Sequence, residues 1–326
     1  MKYATLAGTG LRVSRLGLGT ATFGVAPDAT AAAQLIDFAL DSGVNYIDTA
    51  DSYGNQARFD RVGLPAAEAR DSAEEIIGKA LGSRRDDIVL ASKVGEPIGA
   101  GPNDQGLSSV HVTRTLERTL RRLRTDHLDI YHAHHPDPQT DVEELLSTFD
   151  DLIRQGKIRS YALSTYDGWQ LTEAVLTAQR AGFRRPACHQ TRYSLSKRWV
   201  EQEVLPAARH FNLSTTVFSP LAGGLFAAGT PDPAYEGDAR WGGPGFSEEQ
   251  RALRAQMVDL ATAWDLSLPE LALGWLLAQE GIACAIVGPE SIEQLTQLLP
   301  AAEVKLEAEQ LQKIQDLLPA QPILWS

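Results

Sequence analysis

Residues 88–134 read IVLASKVGEPIGAGPNDQGLSSVHVTRTLERTLRRLRTDHLDIYHAH, and the fold follows from how this stretch changes its period. Ile88–Val94 is an apolar run of strand length, Val110–Leu123 places its apolar residues at helical spacing, and Leu128–His134 is again a strand. Strand, helix, strand in that order is a βαβ unit, which lays its two strands parallel. The same alternation extends in both directions. Strands are expected at Arg15–Thr20, Asn45–Asp48, Ile158–Ser164, Ala187–Thr191, Ser214–Phe218 and Ala283–Val287, with helices such as Ala31–Leu40, Val142–Ile153 and Trp169–Ala178. Eight such strands imply an α/β fold, a closed (β/α)8 TIM-type barrel formed by residues 1–326 as one domain. An open doubly wound sheet would follow its first strand with a Gly-rich turn leading straight into a helix. Here the candidate turn, GLGTATFG at 17–24, opens no immediate helix. Upstream, KYATLAGTGLRVS at 2–14 reads as a β-hairpin that closes the barrel's bottom.

Composition narrows the function. The 326 residues include 42 acidic and 30 basic ones, a formal charge of −12, which argues against nucleic acid or an anionic membrane as the main partner. The 43% hydrophobic content supplies a large core and excludes extended disorder. No apolar run reaches the ~18 residues that a membrane span needs, and the N-terminal stretch lacks the apolar centre of a secretory signal. Cys188 and Cys284 are too few for a disulfide framework and lack metal-ligand spacing. The expectation is a soluble cytoplasmic protein acting on a small molecule, with its oligomeric state left open.

Long loops follow three strands, at Thr49–Arg70, Gly95–Leu107 and the Gly- and Pro-rich Ser219–Phe246. In a barrel such loops share the face where chemistry occurs. Polar residues end the neighbouring strands: Asp48, with Tyr53 shortly after it in IDTADSYGN; Lys93 in VLASK; and His132, His134 and His135 in LDIYHAHHPD. A phenol has a pKa near ~10, too high to release its proton readily at neutral pH. A neighbouring ammonium favours phenolate, a carboxylate balances the buried ammonium, and an imidazole N–H adds a donor to an oxygen acquiring charge. Such a group suits carbonyl reduction, with hydride reaching carbon and the tyrosine supplying the proton.

The motifs IDTADSYGN, VLASKVG, LDIYHAHHPD, GKIRSYALST, QTRYSLSKR and FSPLAGGL, in this order over nearly the whole chain, resemble the aldo-keto reductases. The resemblance implies Asp48, Tyr53, Lys93 and His134 as a catalytic tetrad, His134 being chosen over its neighbours by a YxxHxP pattern, Tyr131 to Pro136. His135 takes a position near the substrate that is often aromatic in the family, and His132, on the inward face, reads as structural. The resemblance also implies a nicotinamide cofactor, NADP with NAD as the alternative. Its binding would involve Gly19 and Thr20, with Ser164, Gln190 and Thr165 at the carboxamide and Phe218 as the stacking ring. Ser219, Pro220, Leu221, Gly223 and Gly224 would meet the pyrophosphate, and Gly288, Ser291 and Gln294 the adenosine end. That last region runs against the pattern: no basic residue lies between Arg254 and Lys305, and Glu290 stands where relatives often carry Arg. Thr165 likewise replaces a common Asn, and Phe218 a common Tyr.

Two other classes compete. His132-Ala-His134 resembles the metal pair of barrel hydrolases, but the further His and Asp ligands on later strands are missing, so no metal is expected. Some relatives bind the cofactor and serve as redox-sensing channel subunits, which turn over little. Trp169, Trp199, Trp241 and Trp325 read as packing aromatics, with a pocket role as the alternative, and the C-terminal PILWS could cover the barrel mouth or a partner subunit.

Overall fold

The computed structural model describes residues 1–57, 60, 63–229, 237 and 243–318. Ten strands form in chain order: β1 Tyr3–Thr5, β2 Arg12–Ser14, β3 Leu16–Gly19, β4 Tyr46–Asp48, β5 Val89–Val94, β6 Leu128–Ala133, β7 Ile158–Ser164, β8 Cys188–Arg192, β9 Ser214–Phe218 and β10 Ile282–Val287. β3 to β10 close into a barrel, each parallel to its neighbours, with β10 returning to pair with β3. The expected (β/α)8 barrel is therefore present, and each strand lies within one or two residues of its sequence reading.

Helices follow because local signals and the apolar stripe agree. Ser108 caps α3 (Ser109–Leu123) by accepting from the His111 N–H, and Val112, Leu116, Leu120 and Leu123 are buried along one face. Each of these side chains contributes roughly 1.5–3 kcal/mol of burial. α1 (Ala29–Asp41) begins two residues before the apolar pattern does, because Asp28 accepts from the N–H groups of Thr30 and Ala31. α4 (Val142–Arg154) is capped by Asp141, and α5 (Gly168–Ala181) stops at Gly182 in the left-handed region. The outer layer continues with α2 (Ala73–Leu81), α6 (Val204–His210), α7 (Glu248–Ala263), α8 (Leu268–Ala278), α9 (Ile292–Leu298) and α10 (Ala308–Leu317).

β1 and β2 pair antiparallel and bring Leu6 and Val13 onto the barrel's lower core of Tyr46, Ala91, Ile130, Ala162 and Cys284. The hairpin thus plugs the bottom, as expected. Tyr46 crosses this interior only because position 17 is glycine: a Cβ there would lie 2.7 Å from the tyrosine ring. With the lower end filled by apolar residues, polar side chains gather at the upper ends of the strands. Trp169 and Trp199 do not pack inside; they are 60% and 45% exposed, just beyond the ends of β7 and β8. Trp241, Trp325 and the PILWS segment lie outside the described residues. Among the described residues, no helix is long and apolar enough to cross a membrane.

Candidate active site

Parallel register places Lys93 beside His132 on β5 and β6, and Asp48 one step across from Ala91. Beyond Asp48 the chain keeps to β5, with Thr49 N–H donating to the Ala91 carbonyl at 2.9 Å and Asp51 N–H to that of Lys93 at 3.2 Å. A turn then carries Tyr53 back over the barrel, its N–H donating to Ala50 O at 3.2 Å. On β6, His134 continues the ladder by donating to Val94 O at 2.8 Å. Three separate stretches therefore converge on one spot.

There the Lys93 ammonium donates to Asp48 Oδ1, to the Thr49 carbonyl at 2.9 Å and to the Tyr53 hydroxyl at 3.4 Å. His134 Nε2 lies 3.5 Å from the same hydroxyl. Lys93, Asp48 and His134 are buried, and Tyr53 is half-buried, the most accessible of the four. Burial alone would lower the pKa of Lys93. Asp48 and then Tyr53 more than offset it, so the pKa stands above the ordinary lysine value and the side chain is a fixed cation.

Gln190 has a role here that sequence reading missed. Its side-chain N–H donates to Asp48 Oδ2 at 2.8 Å, so both carboxylate oxygens are fixed. The residues are 142 positions apart and no local pattern links them. Arg70 was also illegible. It is buried and donates to the carbonyls of Gly54, Gln56 and Pro65, and pairs with Asp60 at 2.7 Å, which staples the loop carrying Tyr53. Gly54 is required in that loop: φ is +90°, and a Cβ would lie 2.5 Å from Phe23 O.

His135 stacks parallel on His134, with ring centroids 4.6 Å apart. It contacts Thr165 Oγ1 at 2.9 Å through Nδ1 and Glu96 Oε1 at 2.6 Å through Nε2. Thr165 has φ +59° although it is β-branched, a costly conformation held by its N–H to Gln190 O and its hydroxyl to His134 O at 3.1 Å. His132 does not join this cluster. It is fully buried, and burial, followed by the nearby Lys93 cation, pushes its pKa well below the usual range, so it is neutral. Among the described residues, His132 is not part of the group of potential metal ligands whose donor atoms converge.

The residues expected to hold a dinucleotide divide into two groups. Ser164 and Gln190 are register partners at adjacent strand ends, and half-buried Phe218 ends β9. With its N–H on Asp48, Gln190 retains a carbonyl to accept from a carboxamide, and Ser164 offers a hydroxyl to donate. That donor set fits the nicotinamide end. Thr20 spends both its N–H and its hydroxyl on Asp48 O, and a side chain at Gly19 would lie 2.8 Å from Ile286. In the stretch Ser219, Pro220, Leu221, the Ala222 N–H bonds Ser219 O and the Gly224 N–H bonds Leu221 O. Gly223 is glycine because a Cβ would lie 2.7 Å from Gly237 Cα. The N–H groups of Ala222 and Gly224 thus close the turn. Beyond exposed Gly288, Ser291 Oγ caps α9 by accepting from Gln294, whose own amide accepts from Glu290 N–H at 2.7 Å. Hydrogen bonds from its own backbone and from Ser291 hold the Glu293 carboxyl below its ordinary value. Residues 288–294 thus bring two carboxylates and no basic side chain to the place of a 2′-phosphate, which favours cations and unspent N–H groups.

The barrel thus brings together a buried lysine–aspartate pair and a tyrosine hydroxyl at the upper ends of its strands. The chain belongs to the aldo/keto reductase family: the family's model matches residues 15–319. It is similar to an uncharacterized oxidoreductase, YrpG, of Bacillus subtilis (strain 168), with 38% identity covering 98% of this chain and 96% of that protein. It is also similar to probable voltage-gated potassium channel beta subunits of Oryza sativa subsp. japonica (31%) and Arabidopsis thaliana (30%), each alignment covering 99% of this chain and 98% of the relative. The chain is thus an oxidoreductase of a family that generally uses nicotinamide cofactors and acts on small-molecule carbonyls.

Proposed function

We propose that the chain reduces aldehydes, with ketones as a further class, to alcohols. The observation that carries this reading is the Tyr53 hydroxyl held between Lys93 Nζ at 3.4 Å and His134 Nε2 at 3.5 Å. A bound nicotinamide dinucleotide supplies hydride to the carbonyl carbon. Tyr53 gives its proton to the carbonyl oxygen, and the Lys93 ammonium stabilises the charge left on the phenolic oxygen. Asp48, fixed by Gln190, keeps that ammonium charged, while His134 orients the carbonyl as a second donor. His135 and Glu96 give the substrate side of the site a polar wall where an aromatic ring is common in the family. The test is multiple-turnover oxidation of NADPH and NADH with a panel of aldehydes; no aldehyde-dependent oxidation of either would refute the reading.

The family expectation of NADP, with NAD as the alternative, meets opposing groups at 290–294. Selectivity for NADPH is therefore expected to be weak. Glu290→Arg replaces a repelling charge with an attracting one and should raise NADPH affinity relative to NADH by about tenfold, equivalent to ~1.4 kcal/mol. Fluorescence titration with both reduced dinucleotides measures it, and an unchanged ratio would place the 2′ position elsewhere.

The similarity to channel beta subunits supports a second reading, a redox-sensing subunit with little turnover. One oxidation per bound cofactor, with release slower than chemistry, would favour it.

A further inference from the structure

Glu96, His134 and His135 form the single group, among the described residues, of three potential metal ligands whose donor atoms all lie within 4.8 Å of one another. We propose that this triad binds a divalent transition-metal ion and thereby withdraws His134 from the carbonyl. Two imidazoles and one carboxylate, with a fourth position left open, are a set that zinc accepts.

The pairing around His135 already has the form such a site requires. The Thr165 hydroxyl directs its proton to His134 O at 3.1 Å, so it accepts from His135 Nδ1–H at 2.9 Å. A ligating histidine typically has its other ring nitrogen oriented by such an oxygen, which leaves Nε2 for the ion. That Nε2 faces Glu96 Oε1 at 2.6 Å, a contact that needs a shared proton. An arriving dication takes the place of this proton, which leaves to solvent, and adds His134 as its third ligand. The His135 side chain is 47% exposed, so the ion has a route in.

The same geometry limits the affinity. The stacked rings are nearly parallel, at 4°, and their lone pairs run side by side instead of converging. Tetrahedral zinc needs donors about 3.3 Å apart, so one ring must turn. The half-exposed His135 is the freer to do so. Binding is accordingly reversible, weaker than at a structural zinc site, and coupled to catalysis through one shared imidazole.

Metal-free full-length protein titrated with Zn2+ by equilibrium dialysis, and with Co2+ by visible absorption, tests the site directly. One equivalent should bind, with a Co2+ spectrum of low coordination number. Glu96→Gln and His135→Gln should each weaken binding by at least about tenfold, while Tyr53→Phe and His127→Gln, the latter a histidine paired with Asp126 elsewhere, should leave it unchanged. No binding, or binding indifferent to both Glu96→Gln and His135→Gln, would overturn the proposal. The competition rests on the proposed reductase activity: Zn2+ should raise KM for the aldehyde without changing dinucleotide affinity. An unchanged KM in an active, metal-loaded protein would overturn the competition. Metal bound with the expected variant pattern in a protein lacking reductase activity would uphold the site and reject the reductase reading instead.

Discussion

Tyr53→Phe should lower aldehyde reduction by about 10²–10⁴-fold or abolish it, the span associated with losing a positioned proton donor. The dinucleotide should still bind nearly as tightly. The substitution removes one oxygen from a half-buried ring and leaves Lys93 with its bonds to Asp48 and the Thr49 carbonyl. The buried charge stays compensated, and the Arg70 staple keeps the loop in place. Steady-state rates with a reduced dinucleotide in excess, alongside a fluorescence titration, separate the two effects. Turnover at the wild-type rate would show that the proton comes from another group. Loss of dinucleotide binding together with activity would mean that the loop had collapsed, a different and less informative result, which thermal unfolding of the variant would expose.

That the proton donor could be nominated from sequence at all reflects where it lies. Asp48 and Lys93 end strands, and strand ends are fixed by a periodicity that a single sequence displays: Ile158–Ser164 and Ser214–Phe218 have the same boundaries in both readings. Parallel strands then bring their ends together without further information. What was illegible depends on the paths of loops. Whether Gln190 would meet Asp48 depends on a contact across the barrel between residues 142 positions apart, and whether Glu96 would return to His135 depends on the course of residues 95–107; neither leaves a periodic trace. The Ser219–Gly224 run shows a further limit. Gly223 makes room for Gly237, and the N–H of Gly224 closes a turn, neither of which composition reveals.

Lys93→Met should remove activity about as completely as Tyr53→Phe does, but with a cost in stability that the tyrosine variant lacks. Methionine nearly fills the space of the aliphatic stem, while Asp48 keeps its charge in a site only 4% exposed, with Gln190 as its remaining side-chain partner. Breaking a buried pair from one side typically costs ~3–5 kcal/mol, because the surviving charge stays desolvated. Asp48→Asn breaks it from the other side and leaves the ammonium with neutral acceptors only, among them the Thr49 carbonyl and the Tyr53 hydroxyl. The double variant Asp48→Asn, Lys93→Met removes both charges. It should recover at least about 2 kcal/mol over Lys93→Met, with no recovery of turnover, because nothing then stabilises a phenolate at Tyr53. Urea unfolding of the four proteins gives the coupling energy, and aldehyde reduction gives the rates. If the two single costs simply added, the charges would be screened from each other and Asp48 would not be the counter-ion. If the double variant regained turnover, Lys93 would not be needed to prepare the tyrosine. Stability that returns without activity is the signature of a pair whose cation serves the reaction and whose anion serves the cation.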